Sequence, residues 1–288
     1  MTYQSEVAPL RRVLLKHARD AFVSSDRIAA QWQQLGYWAP PDYDAACREF
    51  DGFASLLERA GVALEWLPQD DNGIDSIYAR DATIVSDLGS VLCRMGKGAR
   101  SGEPDAQARH LGSMGVPAAG RIVDEGCVEG GDAAWVTSSV LAVGRGYRTN
   151  AEGIDQLEAL LPADVRIERV PLPHWTGPAD VFHLMSILSP IAEDVVLVYS
   201  RLLPVPFRER LIEWGFQLIE VPDEEFDSLG CNVLAVAPRV VVALAGNPET
   251  ERRLRAADVE VHAYTGLEIS RKGCGGPTCL VRPLERDG

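Results

Sequence analysis

No stretch of this 288-residue chain approaches the roughly 20 consecutive apolar residues that a membrane-spanning helix requires. The opening Met1-Thr2-Tyr3-Gln4-Ser5-Glu6 lacks a basic segment followed by an apolar run, so no secretion signal is expected. Positive charge is scarce. With 28 Lys and Arg against 42 Asp and Glu, the formal net charge is -14, which argues against nucleic acid or an anionic membrane as partner. It does not exclude an anionic group on a substrate, because local arginines can override the global field. Cysteines are few: Cys47, Cys93, Cys127, Cys231, Cys274 and Cys279 are scattered through a long chain. They do not form a disulfide framework and are expected as thiols in a reducing cytoplasm. Cys274 and Cys279 have no zinc-like spacing and no histidine pair beside them, so no metal and no cofactor are expected. Linkers are lacking too, with no Ser/Gly tract, charge block or low-complexity run. The expectation is one domain over residues 1–288.

What is present is ordinary for a soluble globular protein: 46% hydrophobic and 24% charged residues, enough for a sizeable core. Leu10 to Lys16 reads as a strand. Residues 42–61 show helical spacing through Ala45, Phe50, Phe53, Leu56 and Leu57, with Gly61 as a stop. Val62 to Leu67 is the next strand. Ile77 to Val85 and Ser90 to Arg94 form a predicted hairpin, followed by a helix over 103–114 and a strand at 121–123. The cycle continues with strands at 134–136 and 140–143, a helix over 151–161 and a strand at 165–170. Strands at 182–188 and 195–199, a helix over 207–214 and a strand at 217–221 follow. The last cycle has strands at 233–237 and 239–243, a helix over 248–257 and a strand at 259–264. A strand-strand-helix-strand order recurring about five times, at roughly 50- to 60-residue intervals, suggests a closed radial arrangement or a stacked array.

Five polar clusters interrupt this apolar framework. Gly273-Cys274-Gly275-Gly276-Pro277-Thr278-Cys279 can turn tightly and leaves little bulk over the sulfur of Cys279. Arg271 and Lys272 stand close in sequence, where positive charge would favour a thiolate. Asp81, in Tyr78-Ala79-Arg80-Asp81, breaks a run that would otherwise bury. Glu129-Gly130-Gly131-Asp132 places two carboxylates around two glycines, between apolar flanks. Arg148, in Gly144-Arg145-Gly146-Tyr147-Arg148-Thr149-Asn150, and Arg100 are the arginines suited to fork onto a substrate carboxylate. His183, in Asp180-Val181-Phe182-His183-Leu184-Met185-Ser186, is the one histidine placed deep in an apolar strand, and so the best acid-base candidate. Each cluster alone has a commoner structural reading. Cys279 can be a small core residue and Asp81 a partner of Arg80. Glu129 to Asp132 can be an acidic turn, the arginines surface groups, and His183 a hydrogen-bonded core residue. Together they supply a nucleophile, an imidazole, carboxylates and cationic anchors. Carboxylates bind a cation and a thiolate attacks an electrophilic carbon, and a guanidinium group is both.

In this order, Tyr-Ala-Arg-Asp, Glu-Gly-Gly-Asp, Gly-x-x-x-Arg-Thr-Asn, His-Leu-Met-Ser and Gly-Gly-Pro-Thr-Cys resemble the guanidino-group modifying superfamily. That superfamily comprises arginine deiminases, dimethylarginine dimethylaminohydrolases and amidinotransferases. The resemblance runs from Leu10 to Pro283 and implies a five-bladed α/β propeller of ββαβ units around a central site. It implies Cys279 as the nucleophile that forms a covalent amidino-thioether, His183 as general acid and base, and Glu129 as the carboxylate orienting it. Asp81 would grip the guanidinium, with Asp132 also at the substrate, and Arg100 and Arg148 would bind the amino acid carboxylate. Met185 stands where arginine deiminases resemble His-x-Asp, so an apolar thioether replaces a second carboxylate and would tolerate an alkylated nitrogen. His-Leu-Met-Ser is closer to the dimethylaminohydrolases, whereas the tail from Arg271 to Cys279 looks more like a deiminase. The implied activity is hydrolysis of arginine or an N-substituted arginine to citrulline. The alternatives are amidino transfer to an amine, deiminase or dihydrolase action on unmodified arginine, and a non-enzymatic arginine-binding module. The expected partner is a small guanidino molecule, and a homodimer is admissible.

Overall fold

In the computed structural model, which describes residues 2–180 and 182–288, fifteen strands form five three-stranded sheets. Met1, part of the N-terminal reading above, and Val181, part of the His183 cluster, lie outside the described residues. Each sheet has the same plan: an antiparallel pair, then a third strand that joins the middle one in parallel. Parallel strands need a crossover connection, and a helix supplies it in every unit. The second sheet takes β3 (Thr83–Ser86), β4 (Gly89–Leu92) and β5 (Ala118–Arg121), with the helix Glu103–Ser113 between the last two. The third takes β6 (Ala133–Thr137), β7 (Val140–Arg145) and β8 (Arg166–Pro171). The fourth takes β9 (Leu188–Ala192), β10 (Val195–Val198) and β11 (Gln217–Glu220). The fifth takes β12 (Val233–Ala237), β13 (Val240–Leu244) and β14 (Glu260–Tyr264).

The remaining unit is split across the chain. β1 (Leu10–Leu15) pairs in parallel with β2 (Ala63–Trp66), and its antiparallel partner is β15 (Val281–Arg286), from the far end of the sequence. The C-terminal strand therefore closes the ring. It also seats Cys279, two residues before β15, at the centre. The opening strands of neighbouring units (β15, β3, β6, β9, β12) contact one another in part, which places them around the axis. The hairpin strands β3, β4, β9 and β10 are buried along their whole length, whereas β2 and β5 are half-exposed. Burial on both faces is why the hairpins read as continuous apolar runs and not as alternating ones.

The helix Tyr43–Arg59 shows how the sequence positions the site. Asp42 caps it, accepting the Ala45 N–H at 2.7 Å, and Ala46, Phe50, Phe53, Ala54 and Leu57 are buried at the spacing of one helix face. At the edge of that face, Glu49 accepts the N–H groups of Leu267, Glu268 and Ile269 at 3.1, 2.7 and 3.2 Å. Those three residues open the turn Leu267–Arg271, and the cysteine loop begins just after it.

Three expected strands are corrected: the one at 121–123 lies earlier, as β5, and two others are partly turns. Ile77 to Val85 starts on the last residue of the 3-10 turn Ile74–Ile77 and runs through an irregular stretch before β3. Phe182 to Leu188 is likewise a loop and a 3-10 turn, Leu184–Ser186, before β9 begins. In both places the buried backbone bends to bring a polar side chain to the axis. Apolar composition signals burial there and does not distinguish a strand from a buried turn.

Candidate active site

The five clusters meet at one end of the axis. Cys279, His183, Asp81, Arg100, Arg148 and Met185 all line a single cavity of about 130 Å³. Cys279 sits in the one-turn helix Pro277–Leu280, and its half-buried sulfur lies 3.5 Å from Nδ2 of Asn232. Asn232 also accepts from the backbone N–H of Thr278 at 3.1 Å and from its hydroxyl at 2.8 Å, so it clamps the residue before the nucleophile. Burial, followed by the Asp81 carboxylate, pushes the Cys279 thiol up to about 11. Arg271 and Lys272 do not supply the expected positive charge. Neither lines the cavity, and Lys272 pairs with Glu268 at 2.6 Å.

Glycines in the cysteine loop are required by close approach. A Cβ on Gly275 would lie 2.2 Å from Cε1 of Tyr78, and one on Gly276 would lie 2.4 Å from Oδ1 of Asn232. Gly131 does the same across the cavity. A Cβ there would meet His183 Nδ1 at 2.6 Å and Asp81 Oδ1 at 2.7 Å, so only glycine lets the imidazole and the carboxylate share that wall.

His183 hydrogen-bonds through Nε2 to Glu129 Oε2 at 2.8 Å, and both residues are buried. Burial alone would lower the imidazole pKa. Asp81, Asp132 and the Glu129 hydrogen bond outweigh it and raise the value well above the ordinary imidazole range. Burial would raise Glu129, but the His183 bond, with Arg148 and Arg100, holds it low. The pair is therefore an imidazolium beside a carboxylate. Glu129 also accepts the Lys97 backbone N–H at 2.9 Å and Arg148 Nη1 at 3.2 Å.

Asp81 is not the partner of Arg80. It accepts the Gly131 N–H at 2.9 Å and Arg100 Nη1 at 2.5 Å, while the fully buried Arg80 pairs with Glu6. Arg100 lines the cavity and is itself held by carboxylates. Its Nε bonds Glu103 at 2.9 Å, and its Nη2 bonds Glu103 at 2.7 Å and the Tyr78 carbonyl at 2.9 Å. Two buried carboxylates balance its charge, and it anchors Asp81 in the cavity wall. Asp132 was expected at the substrate but does not line the cavity. It accepts the Thr149 hydroxyl at 2.6 Å and the Leu184 N–H at 3.0 Å, which fixes the turn that carries His183. Burial pushes Asp132 up to about 6.

Sequence reasoning missed several lining residues: Asp75, Lys97 and Asn232 on the polar side, and Trp175 and Phe226 on the apolar side. Asn232 had a signal, a lone amide between Cys231 and the apolar run of β12. The others lie in loops with no local pattern. Asp81, Glu129 and His183 bring oxygen and nitrogen atoms within 4.8 Å of one another. Arg100 and Arg148 flank the three, and both carboxylates are already bonded to N–H groups, which suits a planar hydrogen-bonding cation better than a metal ion.

Fold and site together define a member of the guanidino-group modifying superfamily. The chain belongs to the arginine deiminase family, whose model matches residues 76–209 and 205–286. It is 27% identical over 252 residues to the N(G),N(G)-dimethylarginine dimethylaminohydrolase of Pseudomonas aeruginosa, covering 83% of this chain and 89% of that one. A structure of dimethylarginine dimethylaminohydrolase from Pseudomonas aeruginosa, a cysteine-to-serine mutant complexed with citrulline, superposes with a TM-score of 0.76 at 22% identity. It covers 96% of this chain and 100% of that one. An amidinotransferase of the saxitoxin biosynthetic pathway from Microseira wollei superposes with a TM-score of 0.81 at 16% identity, covering 99% and 97%. At these identities the superpositions carry the fold alone.

Proposed function

We propose that the protein hydrolyses the guanidinium group of arginine or an N-substituted arginine through a covalent cysteine intermediate, releasing citrulline and ammonia or an alkylamine. The observation that carries this reading is the set of charges around one cavity: a thiol, an imidazolium held by Glu129, and the Asp81 carboxylate. Asp81 and Glu129 would hold the planar N–H groups. In the empty site the Cys279 thiol stays protonated at neutral pH. A bound guanidinium brings positive charge against the sulfur, so the thiol proton is lost to solvent as substrate binds. The thiolate then attacks the guanidinium carbon. His183 gives its proton to the departing nitrogen, the C–N bond breaks, and an amidino-thioether remains. Neutral His183 next takes a proton from water as its oxygen adds to the same carbon. The C–S bond breaks, the thiolate leaves, and the product is a urea.

Met185 in the wall favours substrates that bear an alkyl group on the guanidinium. Met185 lines the cavity, and the family resemblance would put a second carboxylate, selective for the unsubstituted group, in its place. The test is a panel of arginine, methylated arginines, agmatine and guanidino acids, read by mass for ammonia, amine and urea products. Cys279→Ser should bind the best substrate, by calorimetry, and turn over none of it. Ordinary turnover by that variant would overturn the covalent role, and release of no urea from any member of the panel would overturn the hydrolase reading.

A further inference from the structure

We infer that Asn232 is a further catalytic residue: its Nδ2–H group holds the Cys279 sulfur as a thiolate, before attack on the substrate and again as the sulfur leaves. The inference rests on the covalent-cysteine reading above. A thiolate accepts a hydrogen bond far better than a thiol does, so a donor fixed beside the sulfur favours the charged form. Among the described residues, two side chains come within hydrogen-bonding reach of Sγ: Asn232 Nδ2 at 3.5 Å and the Thr278 hydroxyl at 4.0 Å. The hydroxyl has one proton, and it gives that proton to Asn232 Oδ1 at 2.8 Å. Asn232 is left as the donor to sulfur.

The direction of the amide is set by its surroundings. The Thr278 backbone N–H lies 3.1 Å from one end and can only donate, so that end is the oxygen. The other end faces the Met185 carbonyl at 3.5 Å, which can only accept, so that end is the nitrogen. Turned over, the amide would set donor against donor at Thr278 and acceptor against acceptor at Met185. Its NH2 group therefore has one hydrogen for Met185 and one for sulfur. Asn232 is 5% exposed and packs against the cysteine loop, where a Cβ on Gly276 would lie 2.4 Å from its Oδ1. Little side-chain freedom is then lost when the thiolate forms. Met185 lies in the turn that follows His183, and Thr278 precedes the nucleophile, so one amide ties the acid to the sulfur. When the S–C bond forms, the sulfur loses its charge and the Nδ2–H bond weakens. When the C–S bond breaks, the electron pair returns to sulfur and the bond is restored.

Asn232→Leu keeps the branched shape and removes the donor without adding charge. Alkylation of Cys279 by iodoacetamide at about pH 9, read on its peptide by mass, follows the thiolate fraction of the free enzyme. A hydrogen bond to a charged group is worth about one to two pKa units, offset in part by the higher nucleophilicity of a more basic thiolate, so alkylation should slow about 3- to 15-fold. Cys274, exposed in the same loop, is the internal reference and should react at its wild-type rate. A purely structural role predicts the opposite sign. Loss of the clamp on Thr278 would loosen the loop, wet the sulfur and relieve the burial that raises the thiol, which speeds the reaction. An unchanged or faster rate at Cys279 overturns the inference, as does an unchanged kcat on the best panel substrate. Asn232→Ala serves if Asn232→Leu does not fold, with the same slowing at Cys279 required. Alkylation needs no substrate, which separates this inference from the proposed function. If Cys279 alkylation slows while no panel member is hydrolysed, Asn232 stands as the thiolate donor and the hydrolase reading falls. If panel members are hydrolysed and the Cys279 rate does not slow, the reverse holds.

Discussion

Glu129→Gln tests the electrostatic core of the site with almost no change in volume. The substitution removes the negative charge from the group that bonds His183 Nε2 at 2.8 Å and leaves the imidazole as buried as before. Burial favours neutral imidazole, and only Asp81, Asp132 and Glu129 reverse it. A hydrogen bond to a charged group is worth about 1.5–3 kcal/mol, which corresponds to about one to two pKa units. The His183 titration should therefore move down by that amount, measured by the pH dependence of its imidazole NMR signals in free enzyme. Turnover should fall as His183 loses its proton at lower pH, so the fall in the pH–rate profile should move down together with the imidazole midpoint. The same substitution tests linkage. His183 is raised above its unfolded value of 6.5, so its contribution to stability is full below that value and is lost as pH rises through the folded value. Glu129 is lowered, so its contribution is present above 4.5 and is lost as pH falls through its folded value. Wild type should thus lose stability at both extremes, and the variant should be flatter on both sides. An unmoved His183 midpoint in Glu129→Gln would refute the account.

Glu6→Ala should destabilise the fold by about 3–5 kcal/mol, because Glu6 is the buried carboxylate facing Arg80, Arg282 and Arg286. Burial opposes the Glu6 charge, but the three arginines hold its pKa below 4.5, so the stability it adds is lost as pH falls; thermal unfolding from pH 7 to pH 3 measures both effects. Met185→Asp should shift the ratio of kcat/KM toward unsubstituted arginine over methylated arginines, and an unchanged ratio would show that Met185 does not set the preference. Gly275→Ala should cost about 1–3 kcal/mol and lower kcat, since its Cβ would lie 2.2 Å from the Tyr78 ring and displace the cysteine loop. Chemical denaturation and steady-state kinetics on the variant test this, and wild-type values in both would show that the loop has room to yield.

The strands of the second hairpin and the long helix were legible because their cause is local. Ala133–Thr137 and Val140–Arg145 are short apolar runs around a turn, and Tyr43–Arg59 has an N-cap and a single apolar face. The strand that completes the first unit was not legible, because its partner lies more than 260 residues away along the chain, as the Leu10–Arg286 pairing shows. His183 was legible as a residue and misplaced as an element, since a buried turn and a buried strand have the same composition.

By itself the sequence determined which chemistry could be assembled. It holds one cysteine after Gly-Gly-Pro-Thr, one histidine in an apolar context, carboxylates around glycines, and five repeats of one pattern of elements. Those are properties of residue type and spacing, which the chain carries whether folded or not. Only the tertiary structure decided which charges were already spent. Arg100 and Arg148 were both expected to hold a substrate carboxylate, yet Glu103 and Asp81 enclose the guanidinium of Arg100 while Arg148, in the same cavity wall, gives Nη1 to Glu129. Whether a charge is free depends on what other segments bring within hydrogen-bonding distance, and that is settled only when the ring closes.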